Sequence, residues 1–188
     1  MEIEKNSSTY NQIEKAIKYI DENFKSHPSI DEIALNVGMS KYHFIRVFKD
    51  YVGLTPQQFL HSVTLNYAKE HIKESKSILD SSLDIGLSSS SRLHELFVNL
   101  IGVTPKEWKE KGKDVEITYG FGQTPFGEAL IGFTSKGICY LGFCDNNKKD
   151  IFQRFNELWE NANLVFNEKL ANEYLENIFI KNKKYPLF

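Results

Sequence analysis

The sequence predicts a mainly α N-terminal domain built on two helix-turn-helix units, followed by a small α+β module. Three observations lead there. One stretch is written twice, with Gly38, Phe44, Phe48, Gly53, Thr55-Pro56 and Phe59 recurring as Gly86, Leu93, Phe97, Gly102, Thr104-Pro105 and Trp108. The offset is 48 residues at the glycine and 49 from Leu93 onward, so the second copy carries one extra residue in its turn. Apolar residues before and between the copies recur at helical spacing, whereas the pattern after Lys113 changes to short apolar runs broken by glycine. Each copy reads helix, glycine turn, second helix, the pattern of a reader of the DNA major groove.

The elements follow in order. Ile13, Ala16, Ile17, Ile20 and Phe24 form one apolar stripe of a first helix, which His27-Pro28 ends because the residue before proline disfavours the α region. Ser29 with Glu32 makes a capping box for a short helix through Ile30, Ile33 and Ala34, which Gly38 terminates. Ser40 is placed to cap the next helix, whose buried face is Phe44 and Phe48. The outer face is then Lys41, Tyr42, Ile45, Arg46 and Lys49, a guanidinium, a ring and two ammonium groups suited to guanine edges and phosphates. Surface charges usually only solvate a helix, but a second copy on the same frame argues for a reader used twice.

Thr55-Pro56 opens a linker helix carrying Phe59, Leu60, Val63, Ala68 and Ile72. At 1.5 Å per residue, about 18 residues make a rod of roughly 27 Å. Such a rod can hold two recognition helices about one DNA turn apart, roughly 34 Å. In the second copy Ile78, Ser82, Ile85 and Gly86 repeat Ile30, Ala34, Val37 and Gly38. The second recognition helix begins around Ser88 to Ser91, buries Leu93 and Phe97, and exposes Ser90, Ser91, Arg92 and Glu95.

Beyond Lys113, Val115 to Tyr119 is a strand and Gly120 to Gly127 a turn-rich connector. Ala129–Thr134 and Ile138–Phe143 flank Ser135-Lys136-Gly137, a three-residue hairpin loop. A helix over Asp150 to Glu160 turns Ile151, Phe152, Phe155, Leu158 and Trp159 inward. Leu164 to Phe166 is a further strand and Leu170 to Phe179 a further helix. The expected domains are 8–112 and 114–188.

Composition bounds the function. The 188 residues suit one or two domains, and 41% apolar with 26% charged content is ordinary for a folded soluble chain. No run of about 18 apolar residues occurs and Met1 to Lys5 is no signal peptide, so a cytoplasmic protein without membrane contact is expected. The net charge of −2, with 15 cations against 15 anions up to Lys113, means that any affinity for DNA must come from one local basic face. Cys139 and Cys144 are too few for a disulfide framework, and their offset of five puts them on opposite strand faces, poorly placed as a metal pair or as an activated thiol. A buried structural cysteine is the better reading. His27, His43, His61, His71 and His94 lack a cysteine or acid at ligand spacing on a shared face, so no catalytic, metal or cofactor role is expected, although His43 and His94 lie on the recognition helices.

The residues resemble the AraC/XylS family of transcription regulators. Gly38-Met39-Ser40-Lys41-Tyr42-His43-Phe44, Arg46, Phe48-Lys49, Gly53-Leu54-Thr55-Pro56 and Ala68 match its first unit. Ile78, Gly86, Phe97 and Gly102-Val103-Thr104-Pro105-Lys106-Glu107-Trp108 match the second, and the resemblance spans roughly Ile13 to Lys111. It implies a seven-helix, bilobed domain that reads an asymmetric promoter site of about two helical turns. The family's base-contacting positions fall on Tyr42, Ile45 and Arg46, and on Ser90, Ser91, Arg92, His94 and Glu95. Glu95 stands where an arginine is common, and Thr64 replaces a customary basic residue of the linker helix. The first copy is therefore expected to dominate affinity.

The C-terminal module resembles the N-terminal, ribonuclease-H-like half of DNA O6-alkylguanine alkyltransferases through Thr124-Pro125-Phe126-Gly127, Ala129, Thr134, Lys136-Gly137-Ile138 and Leu141-Gly142-Phe143. The order of regulator then module is similar to Ada-type adaptive-response proteins, whose chemistry lies in a following domain with a Pro-Cys-His-Arg acceptor motif. That motif is absent here; the chain reaches Tyr185-Pro186-Leu187-Phe188 where that domain would begin, and the zinc-binding domain preceding the regulator in Ada is missing too. The expectation is a transcription regulator rather than an enzyme, monomeric on double-stranded DNA, with RNA polymerase a candidate second partner. The alternative is an incomplete alkyl-DNA repair protein.

Overall fold

The computed structural model describes residues 2–74, 78–144 and 147–181. Seven helices come first: α1 (Glu2–Asn23), α2 (Ile30–Asn36), α3 (Lys41–Val52), α4 (Pro56–Glu74), α5 (Ile78–Asp84), α6 (Ser90–Ile101) and α7 (Pro105–Lys109), with a 3-10 turn at Phe24–Ser26 after α1. Then follow β1 (Glu116–Thr124), β2 (Gly127–Thr134), β3 (Gly137–Phe143), α8 (Lys148–Leu158), β4 (Asn163–Phe166) and α9 (Glu168–Glu176), which runs into a π turn at Asn177–Lys181. The chain divides into two compact units, Met1–Arg92 and Leu93–Phe188, so that the division falls inside α6. The chain end at Tyr185 to Phe188 lies outside the described residues.

In the first compact unit, the stripe of α1 behaves as its spacing requires: Ile13, Ala16 and Ile20 are buried in one core with Ile33, Ala34, Val37, Phe44, Val47, Phe48 and Leu60, while Ile17 and Phe24 pack at its margin. Phe44 meets Phe48 edge to face at 5.4 Å, and Phe48 meets Phe59 at 5.6 Å. Each such ring contributes roughly 1.5–3 kcal/mol by burial, with about 0.5–1.5 kcal/mol more for a well-oriented aromatic pair. These contacts hold α3 by its inner face. On α4, Thr64, which stands where the resembled family has a basic residue, belongs to the core. It is 1% exposed and donates its hydroxyl to the Leu60 carbonyl at 2.8 Å. The residue shares the inner face with Leu60, Leu65, Ala68 and Ile72, so it takes no part in an outer, DNA-facing surface.

Local chemistry sets the element ends. The Ser29 box is complete: its hydroxyl accepts from the Glu32 N–H while the Glu32 carboxylate accepts from the Ser29 N–H. Ser40 occupies the N-cap of α3, but its side chain makes no capping bond, whereas in the second copy the Ser89 hydroxyl accepts from the Arg92 N–H at 3.4 Å. The two turns match up to Met39 and Leu87, whose N–H groups donate to Ala34 and Ser82 carbonyls, each at 2.9 Å. With α3 starting at Lys41 and α6 at Ser90, the extra residue of the second copy is Ser88, in the turn as expected. Gly38 and Gly86 both close their turns at positive φ, +70° and +78°.

In the second compact unit, β1 to β4 form a sheet in the order β3-β2-β1-β4, with β1–β2 and β2–β3 antiparallel and β4 parallel to β1. β2 is buried on both faces because helices cover both. Ile131 and Phe133 pack with Ala171 and Leu175 of α9, and the intervening Gly132 lies under Phe155 of α8. Two expectations need correction here. Residues Gly120 to Thr124 continue β1 rather than forming a connector: Gly120 and Gly122 are glycine because a Cβ there would meet Ala171 and Asn172 of α9 at 2.7 and 2.4 Å. The hairpin loop is two residues long, Ser135 and Lys136, since Gly137 already pairs with Thr134 in the ladder.

The end of the helix-turn-helix segment is built into this same unit. Thr104 and Glu107 form a second complete capping box, and the other Glu107 oxygen accepts from Lys136 at 2.9 Å. The Thr134 hydroxyl donates to the Gly102 carbonyl. Trp108 meets Trp159 edge to face at 5.5 Å and Phe97 at 6.4 Å. Asn161 donates from its backbone to the Lys111 carbonyl and from its side chain to that of Glu110.

Candidate nucleic-acid interface

α3 presents its outer residues as the apolar spacing dictates. Burying Phe44, Val47 and Phe48 leaves Lys41, Tyr42, His43 and Arg46 exposed, and Tyr42 is 86% exposed. A phenol so open to water contributes little to the core and is free to meet a partner with both its ring and its hydroxyl. Ile45 and Lys49 are half-buried rather than fully on the outer face, because each directly follows a core phenylalanine and sits at the margin of the stripe. Tyr42, Ile45, Arg46 and Lys49 fall at i, i+3, i+4 and i+7, one continuous strip along the helix.

The charge on this strip is not all at liberty. Lys41 donates to the Asp31 carboxylate of α2 at 2.6 Å, a bond that holds its ammonium pKa above the ordinary lysine value. Asp31 carries no sequence signal for this role, because it lies ten residues from Lys41 on a different helix. Arg46 therefore stands as the exposed guanidinium beside Tyr42.

α6 also presents the expected set. Ser90, Ser91, Arg92, His94 and Glu95 are exposed, and Leu93, Leu96 and Phe97 are buried. In register with the first copy, Ser91 replaces Tyr42, His94 replaces Ile45 and Glu95 replaces Arg46. A hydroxyl and a carboxylate thus stand where a ring and a guanidinium stand on α3. A carboxylate repels phosphate but can accept from cytosine N4.

Other candidate chemistry stays apart from these helices. Burial pushes the Cys139 thiol up to about 12, so it is protonated at neutral pH and inert as a nucleophile. His71 and Asp84, far apart in the chain, come together at 3.1 Å between α4 and α5, an acid partner that sequence spacing did not suggest. No cluster of metal-ligating side chains occurs among the described residues. No helix among them is long and apolar enough to cross a membrane.

A helix-turn-helix domain family model matches residues 24–111. The probable transcription factor PqrA of Proteus vulgaris is 30% identical over 105 residues, covering 54% of this chain and 86% of that protein. The bifunctional transcriptional activator and DNA repair enzyme Ada of Escherichia coli K12 is 24% identical over 119 residues, 63% of this chain; the chain spans about a third of Ada, 34% of its length. Among solved structures, a transcriptional regulator with an AraC-type DNA-binding domain from Chromobacterium violaceum aligns with a TM-score of 0.50 and 27% identity, over 56% of this chain and 96% of that one. With the duplicated turn, the two outward helices and these relatives in agreement, the chain belongs to the AraC-type helix-turn-helix family of DNA-binding transcription regulators.

Proposed function

We propose that the chain reads two successive major-groove segments of duplex DNA, α3 in one and α6 in the next, as a monomer, and that α3 supplies most of the affinity. The observation that carries this is the strip of Tyr42, Ile45, Arg46 and Lys49 along the outer side of α3, with Tyr42 and Arg46 exposed over a core that holds the helix by its other face. Ser90, Ser91, Arg92, His94 and Glu95 read the second segment, where a carboxylate favours an exposed cytosine amine over a phosphate. Lys41 and His43 flank the first contact. The natural parts of the chain are 8–112, the reader, and 114–188, an alkyltransferase-like module of ribonuclease-H type, supported by the residues quoted above. The protein acts in the cytoplasm, with RNA polymerase as a further partner.

Selection of bound sites from random duplex DNA tests this, followed by affinity measurements at several salt concentrations. A bipartite site with one strong and one weak half is expected. Arg46→Ala is expected to cost roughly 1–3 kcal/mol of binding and to relax specificity in the strong half only. Unchanged binding by that variant overturns the reading.

The kinship with Ada favours a second reading, in which the chain is the delivery part of an alkyl-DNA repair protein. Cys139, buried with its pKa at about 12, is no alkyl acceptor under this reading. The acceptor would have to lie in a Pro-Cys-His-Arg segment encoded beyond Phe188, and sequencing the gene past that codon decides it.

A further inference from the structure

The turn glycines of the two copies share a backbone conformation but not surroundings. A Cβ on Gly38 would meet nothing within 4 Å, whereas one on Gly86 would lie 1.8 Å from the Lys25 carbonyl oxygen. The turn ahead of the second recognition helix thus rests directly on the backbone of the 3-10 turn that follows α1. That 3-10 turn is in turn anchored on the linker helix. Lys25 donates to the Tyr67 hydroxyl at 2.8 Å and lies 4.4 Å from that ring's centre, and Phe24 packs on the same ring at 5.1 Å. His27, in the left-handed conformation at φ +49°, closes the turn, and its buried Nε2 has no hydrogen-bond partner. Burial and the nearby Arg92 guanidinium hold its pKa below the usual histidine value, against the opposing pull of the Ile85 and Gly86 backbone.

We propose that this contact of Gly86 with Lys25 is the spacer of the reader: it fixes where the second recognition helix starts, and so how many base pairs may separate the two half-sites. The inference rests on the two-segment reading given above. Its physical basis is that a backbone-to-backbone contact with no side chain between admits one approach, whereas a contact through flexible side chains admits several. Ser88, the extra residue of the second copy, lies between that contact and the start of α6. Gly86 and Tyr67 are positioning residues; neither is assigned a contact with DNA.

The test uses the full chain and a set of duplexes in which the two selected half-sites are moved apart or together by one and two base pairs. For the unsubstituted protein, a one-base-pair offset is expected to cost roughly tenfold in affinity. Gly38→Ala strains an equivalent turn in open space, so it is expected to lower affinity for all duplexes without moving the optimum. Gly86→Ala is expected to flatten the spacing preference to about threefold or to shift its optimum. An optimum and steepness unchanged in Gly86→Ala overturn the proposal. Should Gly86→Ala fail to fold, Tyr67→Ala removes the ring under Lys25 and Phe24, and an unchanged spacing preference in that variant overturns the proposal equally. Equal binding of the unsubstituted protein to one half-site and to two overturns the two-segment reading itself, an outcome distinct from either.

Discussion

The two copies of the helix-turn-helix differ in what surrounds them more than in how they are built. In the first copy, Gly38 and Gly53 have nothing within 4 Å of where a Cβ would sit; in the second, Gly86 lies on the Lys25 carbonyl and Gly102 on Gly137. Both recognition helices use the same aromatic or aliphatic anchors, at 44 and 48 and at 93 and 97, all of them fully buried. The copy with open turns carries a ring and a guanidinium at Tyr42 and Arg46; at the matching positions the copy with covered turns carries a hydroxyl and a carboxylate, Ser91 and Glu95, and its own guanidinium, Arg92, directly follows that serine. The two copies share the parts that fold a helix-turn-helix, while their outward side chains and the outer sides of their turns differ, open in one copy and covered by other parts of the chain in the other.

The strongest way to break this comparison is to remove the anchors one at a time. Phe48→Ala and Phe97→Ala should each cost about 3–5 kcal/mol, being equivalent fully buried rings. Both tryptophans, Trp108 and Trp159, lie in the second compact unit. Denaturant unfolding followed by tryptophan fluorescence should therefore shift for Phe97→Ala and stay near its original midpoint for Phe48→Ala, whose loss appears in the helical circular dichroism. Equal shifts in fluorescence would show that the copies are not separately anchored.

Next in size is the pair Gly53→Ala and Gly102→Ala. Both sit at positive φ, +80° and +59°, a strain of about 1–3 kcal/mol for a residue with a Cβ. Only Gly102→Ala also drives its methyl to 2.5 Å from the Gly137 backbone. The expected result is a soluble, weakened Gly53→Ala and a Gly102→Ala that loses its tryptophan transition altogether.

A charge exchange sharpens the functional side of the comparison. Glu95→Arg restores on α6 the kind of residue that Arg46 provides on α3, so it should tighten binding and steepen the salt dependence by about one counterion. The same affinity before and after would mean that α6 does not approach DNA.

The smallest expected effect concerns the caps at the two Thr-Pro helix starts. Gln58 closes that of α4 by accepting from the Thr55 N–H at 2.9 Å, whereas Glu107 closes that of α7 and also holds Lys136. Burial pushes the Glu107 carboxyl up, but hydrogen bonds from Lys136 and the Thr104 N–H prevail and hold its pKa below the usual carboxylate value. A lowered folded pKa contributes stability above the unfolded value of about 4.3 and loses it as pH falls through the folded one. Thermal melts of the original protein and Glu107→Gln should therefore converge as pH falls through the lowered carboxyl pKa, with the tryptophan signal as the probe.

Much of this was legible in the chain because it is governed by neighbours close in sequence. The Ser29–Glu32 box, the glycine turns, the Thr-Pro helix starts and the buried 44/48 and 93/97 pairs depend on spacings of three, four or five residues. What escaped depends on residues brought together from far apart. Gly120 and Gly122 read as turn formers because nothing local reveals that α9 crosses them closely. Thr64, standing where the resembled family has a basic residue, gives no local sign that it returns its hydroxyl to its own helix and serves as a core residue. Asp31 partnering Lys41, and Asp84 partnering His71, required the helices to be placed. Glu107 was half visible: the Thr-x-x-Glu signal announced its cap and gave no sign of Lys136.

The meeting of Gly102 with Gly137 also warns against cutting the gene where its composition changes. A fragment ended at Gly112 would strip Trp108 and the Thr104–Glu107 turn of the indole, threonine and lysine that cover them. Such a shortened protein should be sticky and hard to purify, and a weak DNA signal from it would report damaged goods rather than a poor reader.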